Sequence, residues 1–139
     1  SEKFIERIFN NIESINYSNF EWRITDDFST DNTKYMLLNR IESSPLKEKI
    51  KFIQQSEKKE MYWKPNLFFD SSFDWIILID SDDLVDTECL KIYNNVLQER
   101  DDVALVSSDF HKINEHNNSI HSISYVHNDD KISEKINYY

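Results

Sequence analysis

Residues 75–83 read Trp75-Ile76-Ile77-Leu78-Ile79-Asp80-Ser81-Asp82-Asp83, "WIILIDSDD", five apolar residues that run straight into three carboxylates within four positions. A continuous apolar run bounded by polar turn residues is the pattern of a strand covered on both faces, as in a parallel sheet. On that reading "DWIILID" (74–80) is a central strand and the acids emerge at its carboxyl end. Adjacent carboxylates repel, and in a partly buried site they raise one another's pKa unless a positive charge lies between them. Carboxylate oxygens are hard ligands for Mg²⁺ or Mn²⁺, which typically bind through one or two carboxylates plus substrate phosphate oxygens. Asp80 and Asp82 flank Ser81, so in an extended continuation they point the same way, one to a metal and one to a water or sugar hydroxyl. Asp83 then caps the following turn or reaches the metal. The plainer alternative is an acidic loop in which "DSDD" only caps a turn. The apolar strand before it, and a second acidic pair elsewhere in the chain, weigh against that alternative.

The second pair closes the segment "FEWRIT" (20–25), a short strand running into "DDFSTDNT", which is rich in turn formers and helix caps. Before it, "KFIERIFNNIESI" (3–15) places Phe4, Ile5, Ile8, Phe9, Ile12 and Ile15 on one helical face. After it a helix is expected from Thr30 or Asp31, with Tyr35, Leu38 and Ile41 inward and an end before Pro45. "KIKFIQQ" (49–55) reads as the next strand, and "SEKKEMYWKPNLFFDSSF" (56–73) as a helix interrupted around Pro65. Beyond the central strand, Asp86 caps "TECLKIYNNVLQER", where Leu90, Tyr93 and Leu97 recur at helical spacing and Arg100 closes the last turn. "DVALVSS" (102–108) is a further strand, and "HKINEHNNSIHSISYV" a hairpin turning at His116-Asn117-Asn118. This order predicts an α/β fold, a mainly parallel sheet flanked by helices. Ligands of such sheets bind beyond the carboxyl ends of the strands, so Asp26-Asp27 and Asp80 to Asp83 are expected on one edge.

Composition narrows the function classes. A chain of 139 residues fits one domain, and no internal boundary or repeat divides it. The net charge of -10, from 26 acidic against 16 basic residues, disfavours nucleic acid, whose phosphates demand a clustered basic surface. No apolar run approaches the roughly 20 residues of a transmembrane segment, and Ser1 opens no signal-peptide pattern. A single cysteine, Cys89, offers no disulfide framework and suits a reducing cytoplasm. The chain contains no glycine, so any turn with φ > 0 is expected to fall to Asn or Asp. His111, His116, His121 and His127 match no compact zinc motif and read as surface or hairpin residues. Cys89 reads as a small buried hydrophobe, and Tyr62 and Trp63 as core aromatics rather than stacking platforms.

"EWRITDDFSTDNT", followed roughly fifty residues later by "WIILIDSDDLVDTECL" and then "VALVSSDFHKINEHNNSI", resembles the inverting family-two glycosyltransferases of the GT-A fold. That family's pattern is a strand, a "DD-x-S-x-D" turn, an intervening segment and an apolar strand ending in "D-x-D-D". The resemblance implies a metal-dependent hexosyltransferase-like enzyme. It would use a nucleotide-diphospho-sugar donor and a glycan or other hydroxyl acceptor in cell-surface polysaccharide synthesis, in the cytoplasm or at the inner membrane face. It implies that Asp27 accepts from the nucleotide base, with Asp26 and Ser29 shaping the turn. It further implies that Asp80, Asp82 and Asp83 hold Mn²⁺ or Mg²⁺ and the donor diphosphate, with Asp80 and Ser81 on the donor, and that Lys64 and Asn66 stand near the phosphates. The pattern departs from the family in three places. No counterpart of the family's opening strand precedes the first helix, Phe28 stands where "DDGS" has glycine, and the catalytic base would lie beyond Tyr139. The resemblance thus implies the donor-binding half of a domain truncated at both ends.

Two phosphotransfer readings compete. A haloacid dehalogenase pattern would make Asp80 the nucleophile and Asp82 the acid/base, but it wants Thr or Val at Leu84 and a motif near the start of its domain. A receiver would use Asp26, Asp27 and Asp80 with Ser107 or Ser108 and Lys112, and "DSDD" is too acidic for it. An EF-hand fails because Val85 stands where glycine is needed. The remaining alternative is a non-catalytic nucleotide-binding fragment.

Overall fold

Helix α1 (Ile5–Glu13), led in by a 3₁₀ turn at Glu2–Phe4, buries Ile5, Ile8, Phe9 and Ile12, the stripe that helical spacing predicts. The computed structural model describes residues 2–58, 72–114 and the backbone of 119–123. Phe9 is fully enclosed, and its ring lies 4.6 Å from that of Trp22 at an interplanar angle of 59°. This tilted contact seats α1 on strand β1 (Trp22–Asp26). Strand β2 (Ile50–Gln54) pairs with β1 in parallel, in register from Trp22 opposite Ile50 to Asp26 opposite Gln54. The Gln55 N–H continues the pairing to the Asp26 carbonyl at 3.0 Å. Between the two strands runs α2 (Thr33–Glu42), as a parallel connection requires. One core forms where Leu37 of α2 joins the α1 stripe, with Trp22, Ile24, Ile50 and Phe52 packed against it.

The inward face of α2 differs from the sequence expectation. Thr33 and Leu37 are buried and Ile41 half-buried, whereas Tyr35 and Leu38 are exposed. Apolar residues occur at 35, 36, 37, 38 and 41, all around the helix, so periodicity did not single out one face. Contact with α1 selects the row 33-37-41. Arg40 locks that choice by a two-pronged bond to Glu13, Nη1 to Oε1 at 2.9 Å and Nη2 to Oε2 at 2.7 Å. The Ser44 hydroxyl donates to the same carboxylate at 2.6 Å, and the guanidinium lies over the Phe9 ring at 4.9 Å. Helix α2 begins two residues past Asp31, whose Oδ1 accepts the Thr33 N–H at 3.0 Å, and it ends before Pro45.

Two expected strands are not seen among the described residues. Residues 75–80 join no ladder among the described residues, and Trp75, Ile76, Ile77 and Leu78 are all exposed. Only Ile79 of that run packs against the core. An apolar run states what a strand would bury, but burial on both faces needs neighbours on both faces, and among the described residues the core supplies cover only from Ile79 onward. Residues 102–108 likewise join no ladder among the described residues. Helix α3 (Cys89–Glu99) forms as expected, with Leu90, Tyr93 and Leu97 on its half-buried side. It stops one residue short of Arg100, whose guanidinium binds Asp102. The hairpin is present: β3 (Phe110–Ile113) pairs antiparallel with β4 (Ser119–Ile123), with an irregularity at Lys112/Ile113. Its tip at His116-Asn117-Asn118 lies outside the described residues, as does the helix expected around Pro65. The chain divides into two compact units, Ser1–Glu99 and Arg100–Tyr139.

Candidate functional site

Strand β1 delivers Asp26 to its carboxyl end, where the chain turns through Asp27, Phe28 and Ser29. Asp26 is 3% exposed, and its Oδ1 accepts the Ser29 N–H at 3.1 Å, which closes the turn. Its Oδ2 is buried with no hydrogen-bond partner among the described residues. Asp27 and Ser29 are half-buried beside it. Phe28 adopts φ 61, the positive φ that was expected to fall to Asn or Asp. Phe28 lies inside the turn that the Asp26–Ser29 bond closes. The ring is 47% exposed.

The acids after residue 79 form a second turn, in which the Asp83 N–H donates to the Asp80 carbonyl at 3.0 Å. Asp80, Ser81, Asp82 and Asp83 are all exposed. Partial desolvation of its carboxyl raises the Asp83 pKa from its ordinary value, the charges of Asp82 and Asp80 raise it further, and Arg7 opposes them. This is the like-charge crowding expected of the "DSDD" run.

Helix α1 holds this turn and the residues after it. The Arg7 guanidinium donates through Nη2 to the Asp82 carbonyl. Asn11 makes a reciprocal pair with the Val85 backbone, its Nδ2 donating to the carbonyl at 2.8 Å and its Oδ1 accepting the N–H at 2.9 Å. The side-chain amide thereby does for Val85 what a neighbouring strand would do. Further on, the Asn16 N–H donates to the Thr87 carbonyl at 2.8 Å and its Nδ2 to Glu88 Oε1 at 2.6 Å. Asp86 then starts α3, accepting the Glu88 N–H through Oδ1 at 2.8 Å and the Cys89 N–H through its carbonyl at 3.0 Å. Arg7, Asn11 and Asn16 did not emerge from the sequence reading. The available signal was that Arg7 and Asn11 are four residues apart, hence neighbours on one helix face bordering the apolar stripe.

Among the described residues, no three His, Cys, Asp or Glu side chains are gathered as a ready cation cage. The acidic turn instead presents solvent-facing carboxylates, a donor set that suits a hard cation sharing its coordination with phosphate oxygens. Burial first, and the Asp86 charge second, push the Cys89 thiol up against a hydrogen bond involving Tyr93, so it stays protonated and is a poor nucleophile. His111 lies on β3 and His121 on β4. Tyr62, Trp63, Lys64, Asn66, His116 and His127 lie outside the described residues.

Known proteins bear on these turns. The sequence profile described as Glycosyl transferase family 2 matches residues 1–138. The chain belongs to glycosyl transferase family 2. Among solved structures, "Crystal structure of S. aureus TarS 1-349" is similar at a TM-score of 0.60 and 24% identity, over 70% of this chain. The chain spans 29% of the length of that structure's chain, and the likeness is one of fold. No curated protein matches the chain significantly. Family and fold together make this an α/β glycosyltransferase domain of the GT-A type, with β1 and β2 as its parallel pair. The phosphotransfer readings, which required a haloacid dehalogenase or receiver fold around Asp80, give way to this assignment.

Proposed function

We propose that this family 2 domain contributes the donor-binding half of a metal-dependent, inverting hexosyltransferase that passes a sugar from a nucleotide diphosphate to a glycan or other hydroxyl acceptor. The observation that carries the reading is the acidic turn Asp80–Asp83, three carboxylates crowded together and held against α1. Asp80, Asp82 and Asp83 would hold Mn²⁺ or Mg²⁺, and the cation would stabilise charge on the departing nucleotide diphosphate. Asp27, on the turn after β1, accepts from the nucleotide base, while the Asp26–Ser29 bond keeps that turn closed. Ser81, Lys64 and Asn66 belong to the donor side, the last two as phosphate-facing groups. The acceptor hydroxyl displaces the diphosphate directly, and the base that takes its proton is assigned to no residue of this sequence. Polysaccharide synthesis in the cytoplasm or at the inner membrane face suits such an enzyme. Among the described residues no helix is long and apolar enough to cross a membrane.

Calorimetric titration of UDP and GDP with and without Mn²⁺ tests the reading, repeated on Asp82→Ala. Binding that depends on Mn²⁺ and is lost in the variant is the expected result. Metal-independent binding unaffected by Asp82→Ala would leave a nucleotide-binding module without the donor-metal site, and no binding at all would sink the reading.

A further inference from the structure

We propose that Arg7 and Asn11 of α1 are positioning residues that set the geometry of the Asp80–Asp83 turn toward a divalent cation and the donor diphosphate. The inference rests on the donor-site reading above and assigns the control of that site to a helix far from it in sequence.

Residues 75–80 join no ladder among the described residues, and α1 takes hold of the turn that follows them. Arg7 and Asn11 stand about 6 Å apart along the helix axis, one turn of rise. They take hold of Asp82 and Val85, the carbonyl of the first and both backbone groups of the second. Two anchors three residues apart determine both the position and the tilt of the intervening Asp83 and Leu84. The Asn11 pair is also orientation-specific, because an amide supplies one donor and one acceptor and Val85 presents the complementary two. The helix that carries these groups is itself firmly held. Ile5, Ile8, Phe9 and Ile12 are buried, and Glu13 is locked by Arg40 from α2. A site whose carboxylates are supported from a packed helix keeps its geometry where a free loop would not.

The test compares Mn²⁺-dependent and metal-free UDP binding by calorimetry, well below the thermal midpoint of each variant, with circular dichroism confirming the fold. Supporting groups behind metal ligands change metal affinity by about 10-fold or more, so Asn11→Ala should weaken the Mn²⁺-dependent affinity by about that factor while metal-free affinity holds within about twofold. Arg7→Met should act in the same direction, and Arg7→Lys, which keeps a donor and a charge, should recover most of the loss. Asn16→Ala, which removes a side-chain bond beyond the turn, should lower the thermal midpoint without changing Mn²⁺-dependent affinity. Should Asn11→Ala fail to fold, the contrast between Arg7→Met and Arg7→Lys decides. Folded variants that lose stability yet keep the wild-type Mn²⁺ dependence would overturn the positioning role and leave the donor site standing. If the unaltered protein shows no Mn²⁺-dependent UDP binding, the donor-site reading falls and this inference falls with it.

Discussion

Phe28 stands in the left-handed region with nearly half its surface exposed. For a residue with a Cβ that conformation costs about 1–2 kcal/mol, and an exposed ring returns little of it through burial. Asn tolerates the same φ through its short polar side chain, whereas Gly would relieve the strain but enlarge the freedom of the unfolded chain. Phe28→Asn is therefore expected to stabilise the protein by about 0.5–1 kcal/mol, read as a higher urea midpoint at unchanged slope. An unchanged or lower midpoint would show that the ring's contacts outweigh the backbone strain. The absence of glycine is plain in the sequence, but the residue that must take the positive φ is not. It depends on the path of the whole turn, which here runs from the buried Asp26 to Ser29.

At the scale of elements, α1 does three things. Its apolar stripe forms the core, Glu13 ties it to α2, and its polar margin holds the acidic turn. Burial alone would raise the Glu13 carboxyl, but hydrogen bonds from Arg40 and Ser44 and the Arg40 charge outweigh it and hold Glu13 below the ordinary carboxylate range. A group whose pKa is depressed by folding stabilises the fold above its unfolded pKa, near 4.5, and loses that contribution as the pH falls through its folded value. Glu13→Gln should therefore cost about 2 kcal/mol at neutral pH, the size expected for hydrogen bonds to a charged group, with the gap to wild type closing in acid. Thermal midpoints of both proteins across the acid range measure this, and a gap independent of pH would refute the charge-assisted account. The stripe of α1 was legible in the sequence because its apolar residues follow one helical period. The inward row of α2 was not, because its apolar residues surround the helix and the α1 contact made the choice.

For the whole molecule, the exposed run Trp75–Leu78 and the net charge of -10 act against each other. Contiguous apolar surface favours association, and like charge between copies opposes it. Self-association, followed by light scattering, should increase as the pH falls and carboxylates titrate, and Ile76→Lys with Leu78→Lys should suppress it. If the double variant associates as readily as wild type, that run is not the contact surface. The sequence by itself determined α1, the strands β1 and β2, the cap at Asp86, the hairpin, the two acidic turns and the resemblance to the glycosyltransferase family, since each is written in short-range spacing or in a contiguous motif. The tertiary structure alone decided the inward row of α2, the left-handed turn at Phe28 and the hold of α1 on the acidic turn. A periodic pattern reports which side of a segment is apolar, but a partner such as Val85 for Asn11, 74 residues away, is chosen only when the packed core brings the two together.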